Sequence, residues 1–148
     1  MIRVVDIVDH THNPADTITL DESARHRRRM KMVSDNGIEF LLDLPEARLL
    51  RHKQGMKLED GRIIEVHAEP ETLYEIRGRD HQHLLQLTWH MGNRHLPTQV
   101  MEGHIRIRQD HVIKDMLVGL GATVINIKAP FDPEGGAYGN RHPHEHDH

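Results

Sequence analysis

From Thr72 to Lys128 the apolar residues change their spacing in an order that few folds accommodate. Thr72-Leu73-Tyr74-Glu75-Ile76 reads as a strand. Asp80 then stands where an N-cap belongs, and Leu84, Leu87 and Met91 recur along one helical face, with Leu85 and Trp89 beside it. Gly92 is placed to end this helix in a left-handed cap. Thr98 to Met101 and His104 to Arg108 read as strands joined at Gly103. Asp110 is a second N-cap, for a helix carrying Val112, Ile113, Met116, Leu117 and Leu120 and closed by Gly121; Ala122 to Lys128 is a last strand. The order β-α-β-β-α-β predicts a ferredoxin-like sandwich over residues 70–130. Many unrelated functions use that fold, so it argues for architecture alone.

Residues 1–69 follow a different pattern, that of a small all-β domain. Val4 to Val8 and Thr17 to Leu20 are short β-prone runs around the turn-rich stretch His10 to Asp16. Arg27 to Val33 and Ile38 to Leu44 flank Asn36-Gly37, and Met56 to Leu58 and Arg62 to Val66 flank Asp60-Gly61. A polar residue followed by glycine between two such runs is a strong hairpin signal. Strands at this spacing predict a sandwich or barrel, which makes the whole chain α+β. From Ala129 onward apolar periodicity stops, and residues 131–148 read as a flexible His-rich tail.

Aromatic residues are only 3% of the chain, so the core has to be aliphatic. The formal net charge of −4 gives no global case for binding nucleic acid or a membrane. With no cysteine, a disulfide scaffold, a cysteine-ligated zinc finger, an iron–sulfur site and a thiol nucleophile are excluded. Apolar runs fall short of the roughly 20 residues that span a bilayer. The N-terminus has no signal core, and the chain reads as cytoplasmic. No His-Glu-x-x-His, phosphate-binding glycine loop, Gly-x-Ser-x-Gly or dinucleotide fingerprint occurs, so nothing points to an enzyme.

Histidine is the unusual residue, with 15 in 148. It is the commonest side-chain metal ligand, which makes metal binding the first hypothesis. His142, His144, His146 and His148 alternate with Pro143, Glu145 and Asp147. In an extended segment alternate residues share a face, so several imidazoles can converge on one ion. A purification tag is usually an uninterrupted run, unlike this one. His95 closes Gly92-Asn93-Arg94-His95 and cannot hold a metal by itself, since stable sites use several protein ligands. His111, in the first turn of the second helix, reads equally well as a ligand or as a solvated helix-start residue. His81, His83 and His90 read as solvated positions on the first helix, and His10, His12, His52, His67 and His104 have no case as ligands. The basic run Arg25 to Lys31 has neither the neighbouring aromatics nor the recognition helix that nucleic-acid binding would want. It reads as a strand whose arginines are solvated or paired with carboxylates, with an acidic protein partner as the alternative.

His90-Met91-Gly92-Asn93-Arg94-His95-Leu96-Pro97 resembles a stretch of the UreE family, the nickel metallochaperones of urease maturation. So do Asp110 to Leu117 with Gly119-Leu120-Gly121, the hairpin Leu58 to Val66 and the His-rich C-terminus. The similarity covers essentially the whole chain. It implies a partner-contacting N-terminal β domain, a ferredoxin-like metal-binding domain, and a homodimer that delivers Ni(II) to apo-urease together with an accessory GTPase. It implies His95 as the main interfacial ligand and His111 as a secondary one, with the tail histidines contributing in a general way. Some members carry a further histidine where this chain has Gln109, so the second site is weaker or built differently. A two-fold axis near His95 would join two copies into one site. Such a site should also accept Zn(II) or Cu(II). Two other functions compete: nickel or zinc storage by the tail, and a protein-interaction adaptor using the β domain.

Overall fold

A computed structural model describes residues 1–135, which form two compact units, Met1–Glu69 and Pro70–Gly135. The protein is a mixed, strand-rich α+β chain.

The first unit contains β1 (Val4–Val8), β2 (Asp16–Leu20), the short helix α1 (Glu22–Arg25), β3 (His26–Val33), β4 (Glu39–Leu49), β5 (Gly55–Leu58) and β6 (Ile63–Ala68). One sheet has the order β1-β5-β6-β2, with β2 parallel to β6; β3 and β4 form a separate antiparallel pair. Their apolar faces share a core of Ile18, Met32, Phe40, Leu42, Met56, Leu58, Ile64 and Val66. Both expected hairpins form, and by one device. Gly37 donates to the Ser34 carbonyl and Gly61 to the Leu58 carbonyl, and of the loop residues only the glycines are left-handed, at φ 102° and 90°. Each is a three-residue loop with glycine in the left-handed position, rather than a two-residue turn. Asp16 locks the first of them. Its buried carboxylate accepts from the Ser34 hydroxyl, the Asn36 side chain and the Asn36 and Thr17 N–H groups. The Ser34 bond leads the set that pulls its pKa down to about 2.

The second unit runs β7 (Pro70–Arg77), α2 (His81–Asn93), β8 (Thr98–Met101), β9 (His104–Arg108), α3 (His111–Gly119) and β10 (Thr123–Pro130). Its antiparallel sheet has the order β10-β7-β9-β8. Tyr74, Ile76, Ile105 and Ile107 pack against Leu87 and Met91 of α2 and Ile113 and Leu117 of α3. Asp80 and Asp110 cap these helices, accepting from His83 N–H and from Val112 and Ile113 N–H. Leu85 and Trp89, expected beside the apolar stripe of α2, are instead 56% and 64% exposed.

Residues 131–135 do not behave as the expected tail. Phe131 is fully buried. Arg108 alternates with the core residue Ile107, so it lies on the sheet face turned away from the helices, and there its guanidinium stacks 4.6 Å over the Phe131 ring. Asp132 N–H then donates to Gln99 of β8, and Glu134 N–H to the Thr98 carbonyl. The chain therefore leaves β10 at one edge of the sheet, crosses the face turned away from the helices, and meets the opposite edge at β8.

Candidate metal site

The end of α2 places the candidate ligand His95. The helix continues past Gly92, which keeps a negative φ, to Asn93, and Arg94 is its C-cap. The left-handed residue is His95, at φ 57°. Its N–H donates to the Gly92 carbonyl (3.0 Å) and Leu96 N–H donates to the Met91 carbonyl (3.2 Å). These are the paired bonds of a Schellman motif, and Leu96 packs against the cluster that holds Met91, as that motif requires. The expectation of a glycine cap at Gly92 is thereby corrected by three residues. The same motif closes α3, with Gly121 (φ 87°) donating to Val118 and Ala122 donating to Leu117. One helix thus ends on glycine and the other on an exposed histidine. A side chain with a Cβ costs about 1–2 kcal/mol in this conformation, although histidine tolerates it better than most residues. Local strain of this kind collects at functional positions.

His111 is exposed at the first position of α3. Gln109, beside it, donates to the Leu73 carbonyl and the Asn126 side chain. Among the described residues no three His, Asp or Glu side chains converge on a metal-holding geometry, so His95 and His111 do not make a finished site within one chain. His142, His144, His146 and His148 lie outside the described residues.

His83 is buried, contrary to its reading as a solvated helix position. Its Nδ1 accepts from Arg79 N–H at 2.9 Å, which leaves Nε2 to donate to the Leu120 carbonyl at 2.8 Å. Both nitrogens are engaged, so this imidazole is a brace between the first turn of α2 and the end of α3 and offers no lone pair to a metal. No local signal marks it, because one of its partners is 37 positions away. His83→Ala is expected to lower the unfolding free energy by about 3 kcal/mol, through two lost bonds and a small cavity. Denaturant melts check this; a loss below about 1 kcal/mol would mean that the brace carries little.

In the first unit His52 and His67 are tied into the frame. His67 Nε2 sits 2.6 Å from Glu65, and His52 Nδ1 accepts from Ala68 N–H. The hydroxyl of Thr11 is the leading cause of the lowered Glu65 pKa, followed by His67. All of the basic run but Arg25 lies on β3, where Arg28 and Arg29, with Arg3, converge on Asp43; Arg25, read as part of the strand, instead ends α1 and is buried, with its guanidinium donating to the Leu50 carbonyl. The carboxylate-paired reading of the run fits these contacts. No helix among the described residues is long and apolar enough to cross a membrane.

Fold and site together define a two-domain α+β protein that displays a strained histidine at a helix terminus. Residues 3–69 match the model of the UreE urease accessory protein N-terminal domain and residues 71–148 that of its C-terminal domain. A urease accessory protein UreE from Chelativorans sp. is 63% identical over 100% of this chain and 99% of its own length. One from Rhodopseudomonas palustris (strain HaA2) is 59% identical over 90% of this chain and 62% of its own length. One from Brucella abortus is 47% identical over 96% and 82%. The chain belongs to the UreE urease accessory protein family. Its relatives are named as accessory proteins to an enzyme, consistent with a role in urease maturation.

Proposed function

We propose that this chain is a cytoplasmic nickel metallochaperone that works as a homodimer and delivers Ni(II) to apo-urease alongside an accessory GTPase. The observation that carries the reading is His95, an exposed imidazole in a left-handed helix cap where glycine would be the unstrained choice. Two further features support it. The element order and the sheet order β10-β7-β9-β8 fit a ferredoxin-like metal-binding domain. Leu85 and Trp89 form an exposed i, i+4 apolar pair on the helix that ends at His95, a face suited to a second copy of the chain. A two-fold axis there makes one site from two His95 side chains, with His111 and the tail histidines as additional ligands. Imidazole suits nickel and also admits Zn(II) and Cu(II); with no thiolate to hold soft ions, the cargo can be surrendered one ligand at a time.

Equilibrium dialysis of Ni(II), combined with light scattering, tests this on the full chain and on a variant lacking residues 141–148. The shortened dimer should keep about one tightly held ion per two chains and lose only capacity. One tight ion per chain on an unchanged monomer would overturn the shared site. Loss of nearly all binding with the tail would favour storage by the tail over delivery.

A further inference from the structure

The outward face of β3 carries charge of one sign. Met30 and Met32 turn toward the core of the first unit, so Arg27, Arg29 and Lys31 alternate on the other face, and all three are exposed. Pairing extends this face sideways. Lys31, Leu41 and Arg3 form one row, Arg29 and Asp43 the next, and Arg27 stands opposite Arg48. Asp43 meets Arg29 at 2.6 Å, and Arg3 and Arg28 at 3.6 Å each. One carboxylate therefore serves three guanidiniums, whose side chains stay 52–56% exposed. Arg27 donates to the Ser23 carbonyl and Arg28 to the Leu44 carbonyl, neutral acceptors that leave the charge uncompensated. The other nearby acids are Glu39, opposite Val33 at the end of the ladder, and Glu59, which accepts from the Arg3 main-chain N–H.

Charges on an edge strand guard it against pairing with another chain. Charges of both signs would do so without repulsion. Here Arg27 lies directly across from Arg48, an arrangement that destabilises a ladder, in a chain whose formal net charge is −4. We propose that the β3 face docks an acidic protein segment in extended conformation. Alternate side chains of such a segment recur about every 6.7 Å, the spacing at which Lys31, Arg29 and Arg27 follow one another. Each arginine can take a carboxylate through two parallel N–H groups. Among the described residues β3 pairs with β4 alone, so its other edge is open to the segment's main chain. The rows of this face hold no aromatic ring on which a base could stack, and the acidic balance of the whole chain opposes a long polyanion. This docking goes beyond the reading of His95 and needs no metal.

Fluorescence anisotropy on the full chain tests it with a labelled peptide of about eight residues, alternating Glu and Ser, which spans ~27 Å when extended. The peptide should bind at about 0.05 M salt, and the same peptide with Gln for Glu should not. Raising the salt to about 0.5 M shortens the screening length from about 14 Å to about 4 Å and should weaken binding tenfold or more. Lys31→Glu and Arg27→Glu should each weaken it about tenfold, and the double variant about a hundredfold, since each removes a charge-assisted contact. Neither residue pairs with Asp43, so both variants keep that cluster. Lys128→Glu, which changes net charge equally but lies on β10, should bind like the parent. Arg27→Glu should also melt no lower than the parent, because it replaces the like-charge pair with Arg48 by an opposite one. Absence of binding, or equal losses from Lys31→Glu and Lys128→Glu, would overturn the site. A lower melting temperature for Arg27→Glu would overturn the argument from repulsion. If an oligothymidylate of matched charge binds more tightly than the peptide and is lost with the same substitutions, the partner is a nucleic acid and the proposal fails.

Discussion

His95→Gly is expected to weaken Ni(II) binding by about a hundredfold or more while raising the melting temperature of the chain. The loss follows from the proposed two-fold site, in which a single substitution removes two imidazoles, and each tenfold step is only 1.4 kcal/mol. The gain follows from the backbone. His95 sits at φ 57°, where a residue with a Cβ costs about 1–2 kcal/mol and glycine costs nothing sterically. Glycine gives back about 0.5–1 kcal/mol in unfolded-chain entropy, so the net stabilisation is up to about 1 kcal/mol, worth a few degrees in a unit this size. His95→Ala loses the metal equally but keeps the strain, and should melt no higher than the parent. Nickel competition titrations and thermal melts on the three chains separate the effects. A glycine variant that melts lower would remove the strain argument, and one that still binds tightly and activates urease in nickel-limited cells would remove His95 from the site. His111→Ala should weaken binding only in part.

The second large effect is with pH. Imidazole binds metal only when neutral, and its ordinary pKa is about 6.5. A site with two histidines competes with two protons per ion, so falling pH drives the metal off. Apparent affinity should fall steeply between pH 8 and pH 5, with about two protons taken up per ion released. A site dominated by Glu145, Asp147 or Asp110 would keep most of its affinity until about pH 4–5, where carboxylates protonate. A nickel competition titration across pH 5–8, with and without the tail, tells these apart, and a flat profile would exclude histidine as the main ligand.

What the sequence revealed depended on how local each cause is. Asp80, Asp110, Gly37, Gly61 and Gly121 act through bonds spanning two or three residues, and each does what its position announces. Gly92 misled because it stands within one turn of the true helix end. The better signal was Leu96, whose apolar contact with the core five residues beyond Met91 marks a Schellman closure and leaves His95 in the left-handed slot. β4 runs on to Leu49, through Pro45, because the β3–β4 register slips: Arg28 alone stands between Arg27 and Arg29, whereas four residues separate Asp43 from Arg48. Periodicity cannot show such an irregularity, since proline is tolerated only where the ladder breaks. Phe131 carries no sequence signal, because one aromatic in a Pro- and Gly-rich stretch has no period at all; in the structure it is buried with Arg108 of another strand stacked over its ring. The proposed pairing of His95 with a second copy cannot be derived from residue spacing either, and rests on the family resemblance.

The Schellman closure also has a thermal consequence. In the proposed carrier the main chain at His95 is already fixed by its own bonds and by those of Leu96, so it has almost no conformational freedom left to lose when the ion arrives. A ligand drawn onto the metal from a segment without such bonds gives up about 1–2 kcal/mol of backbone entropy for each residue ordered, an opposing contribution that grows with temperature. Warming would then loosen such ligands first and leave the ion on the two His95 imidazoles, with the rest of its coordination shell open to an acceptor.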